Sequence, residues 1–237
     1  MAAAVCAAYT VFGLTGFGAA MVAVPVLVQF VPLHFAVPLV LLLDVVSTTI
    51  VGLKNRAIVS RRELMRLGPF MFVGIAIGAT ALARLDSKWL LVGLGIFVIV
   101  MALRSLATQP SKESGLAGIW ALPAGVIGGV FSALFGTGGP IYTLYLARRL
   151  PDVNVFRATI SAVIFVSAVV RLGAFGMTGL LQQEGLWQSA ASVLPFCVGG
   201  VWAGSKLRER FSPIAVKRLL LVFLMAGGAG VIVRGMA

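Results

Sequence analysis

Gly13-Leu14-Thr15-Gly16-Phe17-Gly18 interrupts the middle of an uncharged stretch over residues 2–33. Gly136-Thr137-Gly138-Gly139-Pro140 interrupts a second such stretch over residues 115–147. As a straight helix, either stretch would be roughly 45–50 Å long, against ~30 Å of bilayer hydrocarbon. Each must tilt steeply or break, and glycine is where a helix breaks most readily. Paired interrupted segments at corresponding places in two halves of a membrane chain mark the place where a ligand site is built.

The rest of the chain agrees with a membrane environment. Hydrophobic residues make up 60% of it and charged residues only 11%, which excludes an ordinary soluble domain. Further apolar runs of spanning length lie near 35–53, 64–84, 88–106, 156–178, 187–207 and 214–234. No run alternates apolar and polar residues for ten positions, as barrel strands would. The predicted fold is an all-α polytopic membrane protein. The net charge of +12 sits in short inter-span loops, where control of topology explains it without nucleic acid. Cys6 and Cys197 lie in apolar segments and read as reduced core residues. Met1-Ala2-Ala3-Ala4 lacks the basic region of a cleavable signal, so insertion is expected to use the spans themselves.

The chain also repeats itself. Leu14, Gly16, Gly18, Val46 and Ser47 recur 120 positions later as Leu134, Gly136, Gly138, Val166 and Ser167. Pro69, Phe70, Gly74, Gly78, Arg84, Leu94 and Phe97 recur 126 positions later as Pro195, Phe196, Gly200, Gly204, Arg210, Leu220 and Phe223. The extra residues fit the polar stretch Leu181-Gln182-Gln183-Glu184-Gly185. The spacing divides the chain into one repeat over 1–107, a short linker over 108–114 and a second repeat over 115–237. The Gly-x-x-x-Gly pairs suit close helix packing, within one subunit or between two copies in a homodimer.

Basic residues orient the copies. If every apolar segment crosses, Lys and Arg divide almost evenly between the two sides. If the glycine-broken segments are re-entrant hairpins, loops 54–66, 104–113, 148–157 and 206–218 share one side. Only Arg84, Lys88 and Arg234 then lie opposite, with Arg171 inside a span. The positive-inside rule favours the hairpins. Three crossings per copy then make the second copy inverted relative to the first. The expected architecture is two inverted repeats, each a re-entrant hairpin followed by about three transmembrane helices.

Non-helical backbone at membrane depth must be enclosed by protein or line a cavity, so the tips at 13–18 and 135–140 should meet inside the fold. The half-helix that starts at each tip offers unpaired N–H groups and a partial positive charge, which suit an anion. Thr15 and Thr137 add hydroxyls there. The alternative is that these glycines only permit tight packing. Within the spans, Asp44 is a carboxylate in apolar company, with Ser47 and Thr48 on the same helix face. A neutral acid bonded to a neighbouring helix and a proton carrier both fit it. Arg171 fits three roles: a bidentate ligand for an anion, a side chain reaching outward, or a partner for Asp44. His34 reads as a boundary residue, and Tyr9, Trp89, Trp120 and Trp187 as aromatic anchors near segment ends.

The patterns Leu14-Thr15-Gly16-Phe17-Gly18 with Pro25, and Phe131-Ser132-Ala133-Leu134-Phe135-Gly136-Thr137-Gly138-Gly139-Pro140, resemble the sulfite exporter TauE/SafE family. The resemblance covers nearly the whole chain. It implies a permease of the bacterial cytoplasmic (inner) membrane for small sulfur-containing anions such as sulfite or organosulfonates; the family is broad and does not by itself fix the direction, and an exporter is the expectation. It also implies that Gly16, Gly18, Gly136, Gly138 and Gly139 are the motif glycines. In the first copy Ala19 and Ala20 follow Gly18, a departure from the glycine-rich form. The substrate contacts expected from both lines are Thr15, Gly16, Phe17, Gly18, Gly136, Thr137, Gly138, Gly139 and Arg171. Asp44, Ser47 and Thr48 are expected as coupling or buried polar groups. No cofactor, metal site, nucleotide motif or catalytic constellation is read, so the expectation is a secondary transporter and not an enzyme. An anion channel of the same architecture, or an assembly protein without transport, is the alternative.

Overall fold

The computed structural model of the protein describes residues 2–15, 19–52, 58–107, 117–207, 224–225 and 227–235. Among these residues it is helical throughout, with no strand. The order is α1 (Ala2–Thr15), α2 (Ala19–Leu27), α3 (Leu33–Gly52), α4 (Arg61–Arg84), α5 (Ser87–Ala107), a 3₁₀ turn (Gly118–Trp120), α6 (Ala121–Phe135), α7 (Gly139–Arg149), α8 (Val153–Met177) and α9 (Leu186–Leu207). Residues 227–235 are helical as well. α6 ends and α7 begins at the second glycine cluster, whereas residues 16–18 of the first cluster, between α1 and α2, lie outside the described residues. The expected linker over 108–114 and the first part of the expected last span lie outside the described residues.

Local chemistry accounts for the boundaries. α6 stops because Gly136 turns left-handed, with φ 71°, and its N–H donates to the Ser132 carbonyl at 2.9 Å. Pro140 stands in the first turn of α7, where its missing N–H costs nothing. α7 ends at Arg149 because Pro151 disfavours helix at Leu150. Asp152 then caps α8, accepting from the N–H groups of Asn154 at 2.7 Å and Val155 at 3.0 Å.

The outer surface is apolar. Phe72 is 61% exposed and Trp202 62%, which water would not favour and lipid tails do. Among the described residues five helical segments have the length and hydropathy to span a bilayer: Arg61–Arg84, Ser87–Arg104, Gly118–Phe135, Val153–Met177 and Leu186–Leu207. α1 and α3 carry shorter apolar stretches, Val5–Leu14 and Leu33–Ser47. Trp89, Trp120 and Trp187 are exposed near helix starts, consistent with interfacial anchoring. Tyr9 is different. It is fully buried, because its hydroxyl finds a carboxylate inside the fold, so the expectation of an interfacial anchor is corrected.

Packing is crosswise. Gly74 and Gly78 press on the Val126 and Val130 carbonyls of α6, and Gly200 and Gly204 press on the Cys6 and Thr10 carbonyls of α1. A Cβ on Gly78 would come within 2.6 Å of the Val130 oxygen, and one on Gly200 within 2.6 Å of the Cys6 oxygen. Both Gly-x-x-x-Gly pairs are therefore used inside one chain, where backbones approach too closely for a side chain. The two sets of contacts correspond at the same offsets of 120 and 126 as the sequence repeats.

Contacts also order the ends. α6 runs parallel to α4, with Gly125 on Leu67 and Gly129 on Met71, and Gly118 lies beside Arg66 near the start of α4. α7 turns back along α6, laying the Tyr142 ring on Gly128. It returns to the same end, where Arg149 Nη2 reaches Glu63 Oε1 at 2.8 Å and the Tyr145 hydroxyl donates to Glu63 Oε2 at 2.6 Å. The Ser60 N–H donates to Thr159 Oγ1 at 3.0 Å, so α4 and α8 begin at this end. At the other end Gln183 Nε2 donates to the His34 carbonyl at 2.7 Å, beside the starts of α3 and α9. Arg61, Arg62, Arg66, Arg148, Arg149 and Arg157 belong to the first end, and Arg84 and Lys88 to the second.

Candidate functional site

The break between α6 and α7 meets α2, α3 and α8 around an interior cavity. A sphere the size of a water molecule can place its centre within about 40 Å³ of it. One water needs roughly 10–15 Å³ by that measure, so a few waters or one small oxyanion fit. Gly136, Thr137, Gly139 and Pro140 line it from the second tip. Phe12, Ala19, Ala20 and Met21 line it from either side of the first tip. The two interrupted segments thus come together inside the fold.

Arg171 is the centre of the polar lining. It lies six residues before the end of α8 and is 3% exposed. Its Nη1 donates to the Ser132 carbonyl at 3.0 Å, placing a cation on the carbonyl end of α6. Its Nη2 lies 3.8 Å from Asp44 Oδ2. The other carboxylate oxygen of Asp44 accepts from the Tyr9 hydroxyl at 2.8 Å. Of the three roles open to Arg171 in the sequence, outward reach is overturned, because the side chain is buried and its guanidinium turns to the Ser132 carbonyl and Asp44 inside the fold.

Among the described residues three buried side-chain atoms find no hydrogen-bond partner: Arg171 Nε, Thr137 Oγ1 and Tyr142 Oη. All three residues line the one cavity. The Tyr142 hydroxyl nears the Ser132–Ser167 pair, whose two hydroxyls bond each other at 2.8 Å. An orphaned buried donor costs about 1–3 kcal/mol, and here three of them face one space.

The structure divides the other expected residues. Gly139 lines the cavity and has room, since a Cβ there would meet only Ile164 Cδ1 at 3.8 Å. Gly136 lines it and supplies the left-handed turn. Gly138 instead faces α6, where a Cβ would lie 2.5 Å from the Gly128 carbonyl oxygen. Ser47 turns its hydroxyl back to the Leu43 carbonyl at 2.8 Å and is not part of the lining. Gly16, Phe17 and Gly18 lie outside the described residues, as do the side chains of Thr15 and Thr48. Tyr9, Ser132, Tyr142 and Ser167 escape a reading by sequence, because a lone Tyr or Ser in an apolar run carries no signal until a neighbour is known. His34 is exposed at the end of the fold, as expected of a boundary residue. Among the described residues no cluster of His, Cys, Asp or Glu could hold a metal ion, and Cys6 and Cys197 are free thiols.

An all-helical, multi-pass membrane protein with a polar cavity between two interrupted helix pairs has the architecture of the transporter class. The sequence profile described as Sulfite exporter TauE/SafE matches residues 1–231, and the chain belongs to that family of membrane transporters. It is similar to the "Probable inner membrane transporter protein TsaS" of Comamonas testosteroni. The two are 31% identical over 191 residues, covering 80% of each. No solved structure matches the chain.

Proposed function

We propose that the protein is a secondary transporter, an exporter by its family's description, that carries small sulfur-containing anions such as sulfite or organosulfonates across a bacterial cytoplasmic membrane. The anion binds at Arg171, Tyr142 and Thr137 beside Gly136 and Gly139, with Phe12, Ala19, Ala20 and Met21 forming the opposite wall. The observation that carries this reading is the convergence of three unpartnered buried donors, one of them cationic, on one cavity. An oxyanion satisfies all three, and the guanidinium offers it the strongest bond. Among the described residues no other cation lines the cavity.

The scaffold of this reading is two inverted copies, 1–107 and 115–237, joined through 108–114, each with a re-entrant hairpin. Its support is the crosswise glycine packing and the return of α7 to the end where α4 begins. The grouping of basic residues at that end makes it the cytoplasmic one. Rocking of one copy against the other would expose the cavity alternately. Transport is driven by an ion gradient or by the substrate's own gradient, with no cofactor and no catalysis.

Reconstituted in liposomes, the protein should take up labelled sulfite or sulfoacetate with saturation, and unlabelled sulfonates should compete. Flux that rises without saturation would indicate a channel. Absence of flux for every sulfur oxyanion and sulfonate tried would overturn the proposal.

A further inference from the structure

Asp44 is held unequally by its neighbours. Its Oδ1 accepts from the Tyr9 hydroxyl at 2.8 Å, whereas its Oδ2 stands 3.8 Å from Arg171 Nη2. A guanidinium and a carboxylate free to approach close to about 2.7–2.9 Å, and their attraction grows as water is excluded. Both residues line the cavity, and Arg171 is buried. The pair nevertheless stands about 1 Å open, so its members are held apart.

Each member has a hold on its far side. Arg171 Nη1 donates to the Ser132 carbonyl at 3.0 Å, which turns the guanidinium toward the end of α6. Tyr9 holds Asp44 and has little freedom to follow it. Its side chain is fully buried, and its ring meets Phe12 edge to face, with centroids 6.2 Å apart. Its hydroxyl also lies 3.3 Å from the Val40 carbonyl, one turn before Asp44 on α3. The backbone on either side of Tyr9 is seated on α9. Gly200 packs against the Cys6 carbonyl, where a Cβ would lie 3.2 Å from Tyr9 Cβ, and Gly204 packs against the Thr10 carbonyl. Close packing of backbone on backbone therefore sets where the hydroxyl stands, and such packing yields less than a side chain does.

The consequence falls on Arg171. Its Nε has no partner, and its Nη2 faces the carboxylate beyond hydrogen-bond reach. Nε and Nη2 form one edge of the guanidinium, the edge that grips two oxygens of an oxyanion at once. A carboxylate closing on Nη2 would occupy it. Resting on the anion site proposed above, we infer that Tyr9 is a positioning residue for Arg171: by holding Asp44 back, it keeps that edge open to the entering anion. At this distance Asp44 still orients the guanidinium without filling it. Tyr9 acts on the site through α3, since it does not itself line the cavity.

The test pairs Tyr9→Phe with Asp44→Asn in the full chain. Phenylalanine keeps the ring and its packing and removes the hydroxyl alone. The structure of Tyr9→Phe, determined without anion, should show Asp44 closed on Arg171, with Nη2 to Oδ2 shortened to about 2.8 Å. Calorimetric titration with methanesulfonate should show affinity weakened about tenfold, because the anion must displace a carboxylate already in place. In an Asp44→Asn background the same loss of the hydroxyl should change affinity less than about twofold, since no charge remains to close on the guanidinium. A hydroxyl with a purely structural role would lower the melting temperature and leave distance and affinity unchanged, which would overturn the inference. Equal losses of affinity in both backgrounds would overturn it too, because Tyr9 would then not act through Asp44. Should Asp44→Asn fail to fold, the distance in Tyr9→Phe decides, and a pair still as open as in the wild type refutes the restraint. Wild-type protein that binds neither methanesulfonate nor sulfite would remove the anion site and this role with it. Binding of both that Tyr9→Phe leaves intact would remove this role alone.

Discussion

Tyr142→Phe separates a ligand site from a merely structural one. In the fold the Tyr142 side chain is 1% exposed, its ring seats on Gly128, and its hydroxyl has no partner. Phenylalanine keeps the ring and its packing. Removing the orphaned hydroxyl recovers up to its desolvation penalty of about 1–3 kcal/mol. For a chain of this size that is roughly 2–4 °C in Tm per kcal/mol, so the variant should melt a few degrees higher than wild type. Affinity should move the other way. A hydrogen bond to a charged acceptor contributes about 1.5–3 kcal/mol, so anion binding should weaken about 10- to 150-fold. The assays are thermal unfolding in detergent without ligand, and a titration with the sulfonate that binds best. Stability and affinity that fall together would show a structural hydroxyl with a partner in solution. Unchanged affinity would refute the placement of the anion.

Arg171→Met should lower the melting temperature by roughly 6–20 °C, since stripping one partner from a buried ion pair costs about 3–5 kcal/mol. Adding Asp44→Asn should restore most of that loss, and a double variant no more stable than the single one would show that the pair is not coupled. Gly78→Leu and Gly204→Leu should abolish folded protein in detergent, because a side chain there meets backbone of α6 or α1; Gly173→Ala and Gly199→Ala, which face open space, should fold normally. Gly136→Ala should cost about 1–2 kcal/mol for its left-handed backbone, whereas Gly139→Ala should fold like wild type and bind anion more weakly because its methyl enters the cavity. Cysteines introduced at the exposed positions Arg62 and Gln182 should be labelled by an impermeant thiol reagent from opposite sides of the membrane, and labelling from one side would remove the inverted arrangement.

Much of the fold was legible in the chain because the membrane restricts the choices. Backbone polar groups must be satisfied internally, so apolar length reads directly as helix. The expected spans over 64–84, 88–106 and 187–207 lie within three residues of α4, α5 and α9. The second glycine cluster located the break after α6, since an overlong apolar helix has few other ways to end. Less of the site was legible. Asp44 and Arg171 stood out because charge in a span is rare, but the sequence left open whether they met each other, a ligand or the interface. Gly138 and Gly139, adjacent and chemically identical, could not be told apart. Only the fold turns one toward the Gly128 carbonyl and the other toward open space.

Glu63 shows the same limit from the other direction. As a sequence feature it is one acid beside several arginines at a helix start. In the fold it is 3% exposed, and it ties α7 to α4 through Tyr145 and Arg149, far along the chain. What the residues determine alone is therefore what depends on nearest neighbours and on lipid: helix and span. What the tertiary structure decided is which buried donors are satisfied and which are not. A hydrogen bond depends on distances of a few tenths of an ångström between helices that the sequence holds a hundred residues apart.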